Sequence, residues 1–485
     1  MAATNPSLEG LGLDPEDLNL GLHPKQFLAL QSPATEILFG GAKGGGKSHL
    51  MRVAAICWAH LIDGLQVYLF RRTSPDLLRN HMNGPGSFPS LLSHWMRVRD
   101  VSYDGSKGHW KFRNGSRILL CHCQHTKDMH DYQGAEMHVL MIDQLEQWEK
   151  EVYEFLRGQV RLGGLRVPSD LKGLFPRVLV SANPGGIGHN WVKEGFVSLA
   201  PEFALTRMLP EKGGMLRQYI PSLLEDNPTM LENDPTYEDR LSGMGSPAMV
   251  KALRWGIWDI VAGGAIDDVW DPSFHVIPPF RIPKNWQVER ALDWGSSRPF
   301  SVGWWARSDG SEVMTAKGMR SFYPGSKIRV AEFYGWNGEA NEGCRMIPAE
   351  VARKILEIEN FLSYKHQIRP GPADASIFDS DRSIADDMLR VGVRWTMADK
   401  RPGSREAGLL KLRTMLKAGL QSPMEEPGLF VFDTCRHFIR TIPVLPRDER
   451  KPDDVNTSAE DHVYDETRYE IMTPPRVDVV EQVVI

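Results

Sequence analysis

The run Gly41-Ala42-Lys43-Gly44-Gly45-Gly46-Lys47-Ser48 constrains this chain more than any other stretch. It fits G-x-x-x-x-G-K-[ST], a loop that cradles phosphate groups. Glycines let the backbone turn so tightly that successive N–H groups converge on one anion. Residues 35–39 before the loop read as a buried strand. Residues 49–62 after it are apolar at helical spacing through Leu50, Ala54, Trp58 and Leu61. Strand, loop and helix in that order suit the chemistry, because a helix N-terminus adds partial positive charge. The loop predicts a bound nucleoside triphosphate held by Gly41, Lys43, Gly44, Gly45, Gly46, Lys47 and Ser48. Lys47 would reach the β- and γ-phosphates and the Ser48 hydroxyl would hold Mg²⁺.

A chain of 485 residues is too long for one core and predicts two or three domains. We read a tail over 1–21, an α/β domain over 22–206, a connecting region over 207–285 and a second α/β domain over 286–485. Strands are expected at 37–39, 67–71, 116–121, 139–143 and 177–181, then at 288–294, 300–306, 328–333 and 392–397. Helices are expected at 349–362 and 383–391. In the first domain, alternation of this kind implies a parallel sheet covered by helices. The connecting region is expected because Asp226-Asn227-Pro228, Asn233-Asp234-Pro235 and Gly263-Gly264 break up the apolar runs. The first 21 residues are polar and acidic and do not read as a signal or transit peptide. No run approaches the roughly 20 apolar residues of a membrane span. Five cysteines with no C-x-x-C pair indicate neither a disulfide framework nor a zinc site, so reduced thiols are expected. The net charge of −5 argues against coating nucleic acid by bulk charge and leaves room for a local basic channel.

Val139-Leu140-Met141-Ile142-Asp143 is an apolar run ending in a carboxylate, which places Asp143 toward Mg²⁺ at the carboxyl end of the sheet. The next residue, where a water-activating glutamate commonly stands, is Gln144. Glu146 is the expected substitute if the turn is tight. Asn183, in Ser181-Ala182-Asn183-Pro184-Gly185, suits contact with a γ-phosphate or its attacking water. Gln26 precedes the first strand at a distance suited to the adenine edge. Arg71, Arg72, Arg79 and Lys43 all qualify to neutralise charge on a transferred phosphoryl group. Farther along, Asp293 lies in an apolar strand, Asp374 ends another, and Asp461 and Asp465 stand four apart, as on one helical face. Carboxylates from separated segments are what two divalent ions require for phosphodiester cleavage.

These motifs resemble in order one family, the large subunit of the tailed-bacteriophage terminase, over about residues 22–472. Phe70-Arg71-Arg72-Thr73, Tyr132-Gln133-Gly134-Ala135-Glu136, Leu253-Arg254-Trp255-Gly256-Ile257-Trp258-Asp259 and Leu292-Asp293-Trp294-Gly295 also carry the likeness. It implies an N-terminal packaging ATPase and a C-terminal nuclease of ribonuclease-H-like fold with a mixed sheet. ATP and Mg²⁺ are the implied cofactors, with Mn²⁺ an alternative at the nuclease site. The implied partners are double-stranded viral DNA, the small terminase subunit and the portal protein of the procapsid, with a homo-oligomeric ring on docking. The implied place is the host cytoplasm and, transiently, the procapsid; no membrane is involved. By the same likeness Asp293 and Asp374 are the first two nuclease ligands. Asp465 is favoured as the third, with Asp461 assisting. The competing expectation is another P-loop DNA translocase or helicase with a nuclease domain.

Overall fold

The computed structural model describes residues 20–474 apart from 244–246, 260–263, 317, 380–382 and 449. Most of the tail expected over 1–21 thus lies outside the described residues. Spatial compactness divides the chain into Met1–Ala262 and Gly263–Ile485. The expected connecting region, 207–285, falls partly in each unit, because one of its segments is a buried strand of the first sheet.

The strands of the first unit are β1 (Glu36–Gly41), β2 (Gln66–Arg71), β3 (Val101–Asp104), β4 (His109–Phe112), β5 (Arg117–His122), β6 (Val139–Ile142), β7 (Arg177–Ala182), β8 (Leu205–Arg207) and β9 (Leu216–Ser222). They form one sheet in the order β3–β4–β5–β2–β6–β7–β1–β9–β8. The six strands from β5 to β9 are parallel neighbours, so their carboxyl ends share one edge. β1, β6 and β7 are buried throughout, as expected where helices cover both faces. The helix Lys47–Leu61 is buried at ten of its positions, including Leu50, Ala54, Ile56 and Trp58. It therefore packs as an interior helix rather than a surface one. The β3–β4 hairpin and β9 went unpredicted.

The second unit holds β10 (Val276–Ile277), β11 (Gln287–Asp293), β12 (Ser301–Arg307), β13 (Val313–Thr315), β14 (Gly318–Arg320), β15 (Lys327–Tyr334), β16 (Ile368–Ala373), β17 (Thr396–Met397) and β18 (Leu429–Phe432). Apart from the β13–β14 hairpin, the sheet order is β10–β18–β15–β12–β11–β16–β17. β11, β12 and β15 are antiparallel, whereas β16 pairs parallel with β11 and β17 parallel with β16. Three meandering strands followed by two parallel ones is the ribonuclease-H-like order expected for the mixed sheet. The strand expected at 392–397 shrinks to β17, because Gly392 takes φ 112° and caps the helix Ile384–Val391. Trp286, Trp304 and Trp305 are buried in the core around β11 and β12.

The helix His462–Met472 is fixed to this sheet by buried charge. Glu466 pairs with the fully buried Arg329 of β15 and accepts from Trp305 Nε1 at 2.6 Å. One turn on, Lys327 Nζ meets Glu470 Oε1 at 2.5 Å. Removing one member of a buried pair strands the other charge and costs roughly 3–5 kcal/mol. Glu466→Ala is therefore expected to lower the stability of the second unit, read from its urea unfolding, by that amount. A loss below about 1 kcal/mol would mean that packing, not the ion pair, seats the helix.

Candidate functional site

The carboxyl ends of β1, β2, β6, β7 and β9 bring the predicted nucleotide residues together. Gly46 takes φ 75° as the N-cap of Lys47–Leu61, a left-handed conformation that glycine adopts without strain. No acid of its own occupies the first turn of that helix, so its positive end is left toward the loop. Lys47 Nζ donates to the Ala42 carbonyl across the loop. Burial pushes the Lys47 ammonium down to about 8, against the opposing charges of Glu146 and Asp143. Ser48 Oγ lies 3.0 Å from Asp143 Oδ2. Hydroxyl and carboxylate thus stand together where a Mg²⁺ ion with its water shell would sit.

Asp143 is buried and crowded with donors. Its Oδ2 accepts from Arg71 Nε at 2.9 Å and His81 Nε2 at 3.1 Å, and its Oδ1 from Ser181 Oγ at 2.5 Å. Burial alone would raise this carboxyl. The His81 hydrogen bond and the Arg71 charge outweigh it and hold the group well below the usual carboxylate range. His81 itself is pushed down by burial despite Asp143. It is therefore neutral, with Nε2–H donating to Asp143 and Nδ1 facing Arg52 Nη1 at 3.5 Å. Sequence reasoning missed His81. The available signal was its spacing, four residues after the buried Leu77 in the helix Ser74–His81.

Glu146 has the opposite environment. Gln144 takes φ 68°, and its N–H donates to Ser181 Oγ at 3.1 Å. This left-handed residue makes the tight turn that sends Glu146 inward. Burial pushes the Glu146 carboxyl up to about 7, opposed by hydrogen bonds from its own N–H and that of Asn183 and by the Lys47 charge. Its Oε2 is buried with no hydrogen-bond partner, and so is Asn183 Oδ1. A carboxylate with a free oxygen and a pKa near neutrality is suited to take a proton from water.

The other predicted residues are placed as follows. Gln26 Nε2 donates to the Gly46 carbonyl at 2.8 Å and Oε1 accepts from His23 N–H at 2.8 Å, so its amide braces the loop. Among the arginines, Arg71 is committed to Asp143. Arg72 Nη1 donates to the Gln147 carbonyl, and Arg79 pairs with Asp76 at the surface. Lys43 N–H donates to the Leu253 carbonyl at 2.7 Å. The stretch expected to be a connector also straps the loop. Ser222 Oγ donates to the Gly45 carbonyl at 2.8 Å and Asn227 Nδ2 to the Gly44 carbonyl at 2.6 Å.

In the second unit, Leu292 on β11 pairs with Ala373 on β16, which sets Asp293 beside Asp374. The Tyr469 hydroxyl lies 3.4 Å from Asp293 Oδ1 and 3.3 Å from Asp374 Oδ2, so one hydroxyl spans both carboxylates. His462 Nδ1 lies 3.1 Å from Asp293 Oδ2 and its Nε2 3.0 Å from Asn341 Oδ1. Lys400 Nζ reaches both oxygens of Asp374 at 2.7 Å. Arg405 Nη1 meets both oxygens of Asp465 at 2.9 Å, and Arg468 adds a further contact at 3.1 Å. Asp461 meets Arg405 only at 3.3 Å. It is the N-cap rather than a body residue of the helix, one turn before Asp465. Burial raises the carboxyls of Asp293 and Asp461, and the charge of Asp465 adds to both. Among the described residues, no three or more His, Cys, Asp or Glu side chains are arranged to hold a metal ion. Lys400 covers Asp374, and Arg405 and Arg468 both contact Asp465. Asp293, Asp374 and Asp465, whose charges all act on Tyr469, are nonetheless all carboxylates, the chemistry that Mg²⁺ and Mn²⁺ prefer. His462, Tyr469 and Lys400 were not assigned roles from sequence.

No family model and no curated protein matches the chain. Several solved phage large terminases are similar to it in structure. The HK97 bacteriophage large terminase is 12% identical, with a TM-score of 0.42 over 93% of this chain and 95% of that one. A large terminase from a thermophilic bacteriophage, solved in complex with ADP, is 16% identical, with a TM-score of 0.39 over 92% of this chain and 98% of that one. The large terminase nuclease of thermophilic phage G20c, solved with bound cobalt, is 8% identical, with a TM-score of 0.29 over 43% of this chain and 96% of that one. Likeness of this size carries no functional argument, so function rests on the residues of this chain.

Two outcomes follow from the two carboxylate environments. Glu146→Gln should bind ATP as the wild type does but hydrolyse it about 10²–10⁴-fold more slowly. Because a base must be deprotonated, wild-type kcat should rise with pH through about 7. Steady-state rates against pH check both; wild-type turnover in Glu146→Gln would move the role elsewhere. In the acidic cleft, raised carboxyls mean that the folded unit binds more protons than the unfolded chain above about pH 4. Its metal-free stability should then fall as pH rises toward neutrality. Asp461→Asn should flatten that fall and raise the neutral-pH melting temperature measured in chelator.

Proposed function

We propose that this chain is the motor and nuclease subunit of a phage DNA-packaging machine. ATP hydrolysis in Met1–Ala262 would drive double-stranded DNA into a procapsid, and metal-dependent cutting in Gly263–Ile485 would sever concatemeric DNA. The observation that carries the reading is Glu146, a buried carboxylate with a free oxygen and a pKa near 7. It shares its sheet edge with a phosphate loop and with a second carboxylate, Asp143, held ionised.

The loop N–H groups and Lys47 bind the phosphates and neutralise charge as the γ-phosphoryl leaves. Glu146 accepts the proton of the attacking water, and the Asn183 N–H orients its carboxylate. Ser48 and Asp143 would hold Mg²⁺, which would supply positive charge to the phosphates. In the second unit Asp293, Asp374 and Asp465 would hold divalent ions, which would supply a Lewis acid and an activated water. Asp461 would assist from one turn before Asp465, and Arg405 with Arg468 must yield Asp465 to the metal. His462 fixes the orientation of Asp293, and Lys400 must release Asp374 for a metal to enter. The partners in this reading are the small terminase subunit and the portal, with several copies forming a ring in the host cytoplasm.

ATP hydrolysis with and without duplex DNA tests the reading. DNA should stimulate it, and Lys47→Ala should abolish it while leaving Mg²⁺- or Mn²⁺-dependent cutting intact. A folded Lys47→Ala protein that loses both activities together would contradict two independent centres.

A further inference from the structure

Two segments far apart in sequence, 183–189 and 253–258, meet at His189 in the first unit. The imidazole is 1% exposed, and burial pushes it down to about 3, so it is neutral. Its Nδ1 accepts from Gly185 N–H at 2.9 Å and its Nε2–H donates to the Trp258 carbonyl at 2.9 Å. On the first side, the same loop holds the expected general base. Asn183 N–H bonds the Glu146 carboxylate, and Gly188 N–H donates to the Glu146 carbonyl at 2.8 Å. On the second side, the segment rests on the phosphate loop. The Leu253 carbonyl accepts from Lys43 N–H, and a Cβ on Gly256, which has φ 64°, would come within 2.8 Å of Ala42 N. No side chain fits at Gly256 without moving the loop.

We infer that His189 is a positioning residue for ATP hydrolysis, tying the loop that orients Glu146 to the segment lying against the phosphate loop. A shift of the phosphate loop is thereby felt at the general base. The link is a backbone-to-backbone bridge through one buried ring, which sets a distance as well as an attraction. A second connection just beyond both segments, Lys193 to Asp259 at 2.7 Å, is solvated, with Asp259 82% exposed. An exposed pair of that kind contributes little, which makes it the natural control. The inference rests on the ATPase reading above.

The test uses the full chain with His189→Asn, His189→Gln and Lys193→Ala. Asn keeps an acceptor near the Nδ1 position and Gln a donor near the Nε2 position, but neither spans both partners. Displacing the base by about 1 Å costs on the order of 100-fold in rate. Both His189 variants should therefore lose about 10–100-fold in kcat for ATP, with KM and the affinity for a non-hydrolysable ATP analogue unchanged. Lys193→Ala should match the wild type. Unchanged kcat in both His189 variants overturns the inference while leaving the ATPase reading standing. Parallel loss of kcat and nucleotide affinity, or loss of folding by circular dichroism in both, makes His189 a packing residue and also overturns it. A wild-type chain that hydrolyses no ATP overturns the ATPase reading itself.

Discussion

The Asp143 carboxylate gathers the first unit around one buried anion. Ser48 comes from the helix after the phosphate loop, Arg71 from the end of β2, His81 from the following helix and Ser181 from β7. An ionised carboxylate out of water is tolerated only when its lone pairs are filled and its charge is balanced. Each of those elements must therefore hold its place for the others to hold theirs. Glu146, three residues on, is left with one oxygen unfilled. The same sheet edge thus keeps one carboxylate permanently charged and brings its neighbour near neutrality, the division of labour that acid–base chemistry needs.

The second unit meets the same constraint in two places with two results. Inside the sheet, Glu466 and Arg329 match each other and seat the helix His462–Met472. At the mouth of the cleft, matching is uneven. Asp374 has Lys400 and Asp465 has two guanidinium groups, while Asp293 and Asp461 are buried with weaker compensation. Under-compensated carboxylates favour a proton or a cation, which is the electrostatic condition for binding a divalent ion.

The parts legible from sequence were those in which chemistry lies in contiguous residues. The phosphate loop, the apolar run ending in Asp143, and the Asn183 turn all declare themselves within a strand and the turn that follows. Glu146 was legible only as a substitute for Gln144; the left-handed turn that makes it work belongs to the fold. The straps from Ser222 and Asn227 were hidden because their Asp-Asn-Pro context reads as a breaker, and turn residues also serve where a backbone must be held close. That Asp465 sits in the helix body was legible; its salt bridges were not. Arg405, some sixty positions earlier, is what occupies it, and no local pattern reports a partner at that distance. β9 was missed because Pro221 and the polar Arg217 and Gln218 mask a strand that the sheet buries on both faces.

The proposed function gives one chain two separate chemistries, with Asp293 at the heart of the second. The most direct test is the conversion of supercoiled plasmid by purified protein in Mg²⁺ or Mn²⁺ without ATP. Wild type should nick or linearise the plasmid, Asp293→Ala should leave it supercoiled, and chelator should abolish cutting. Cutting by Asp293→Ala at the wild-type rate would contradict the assignment of this cleft as a nuclease.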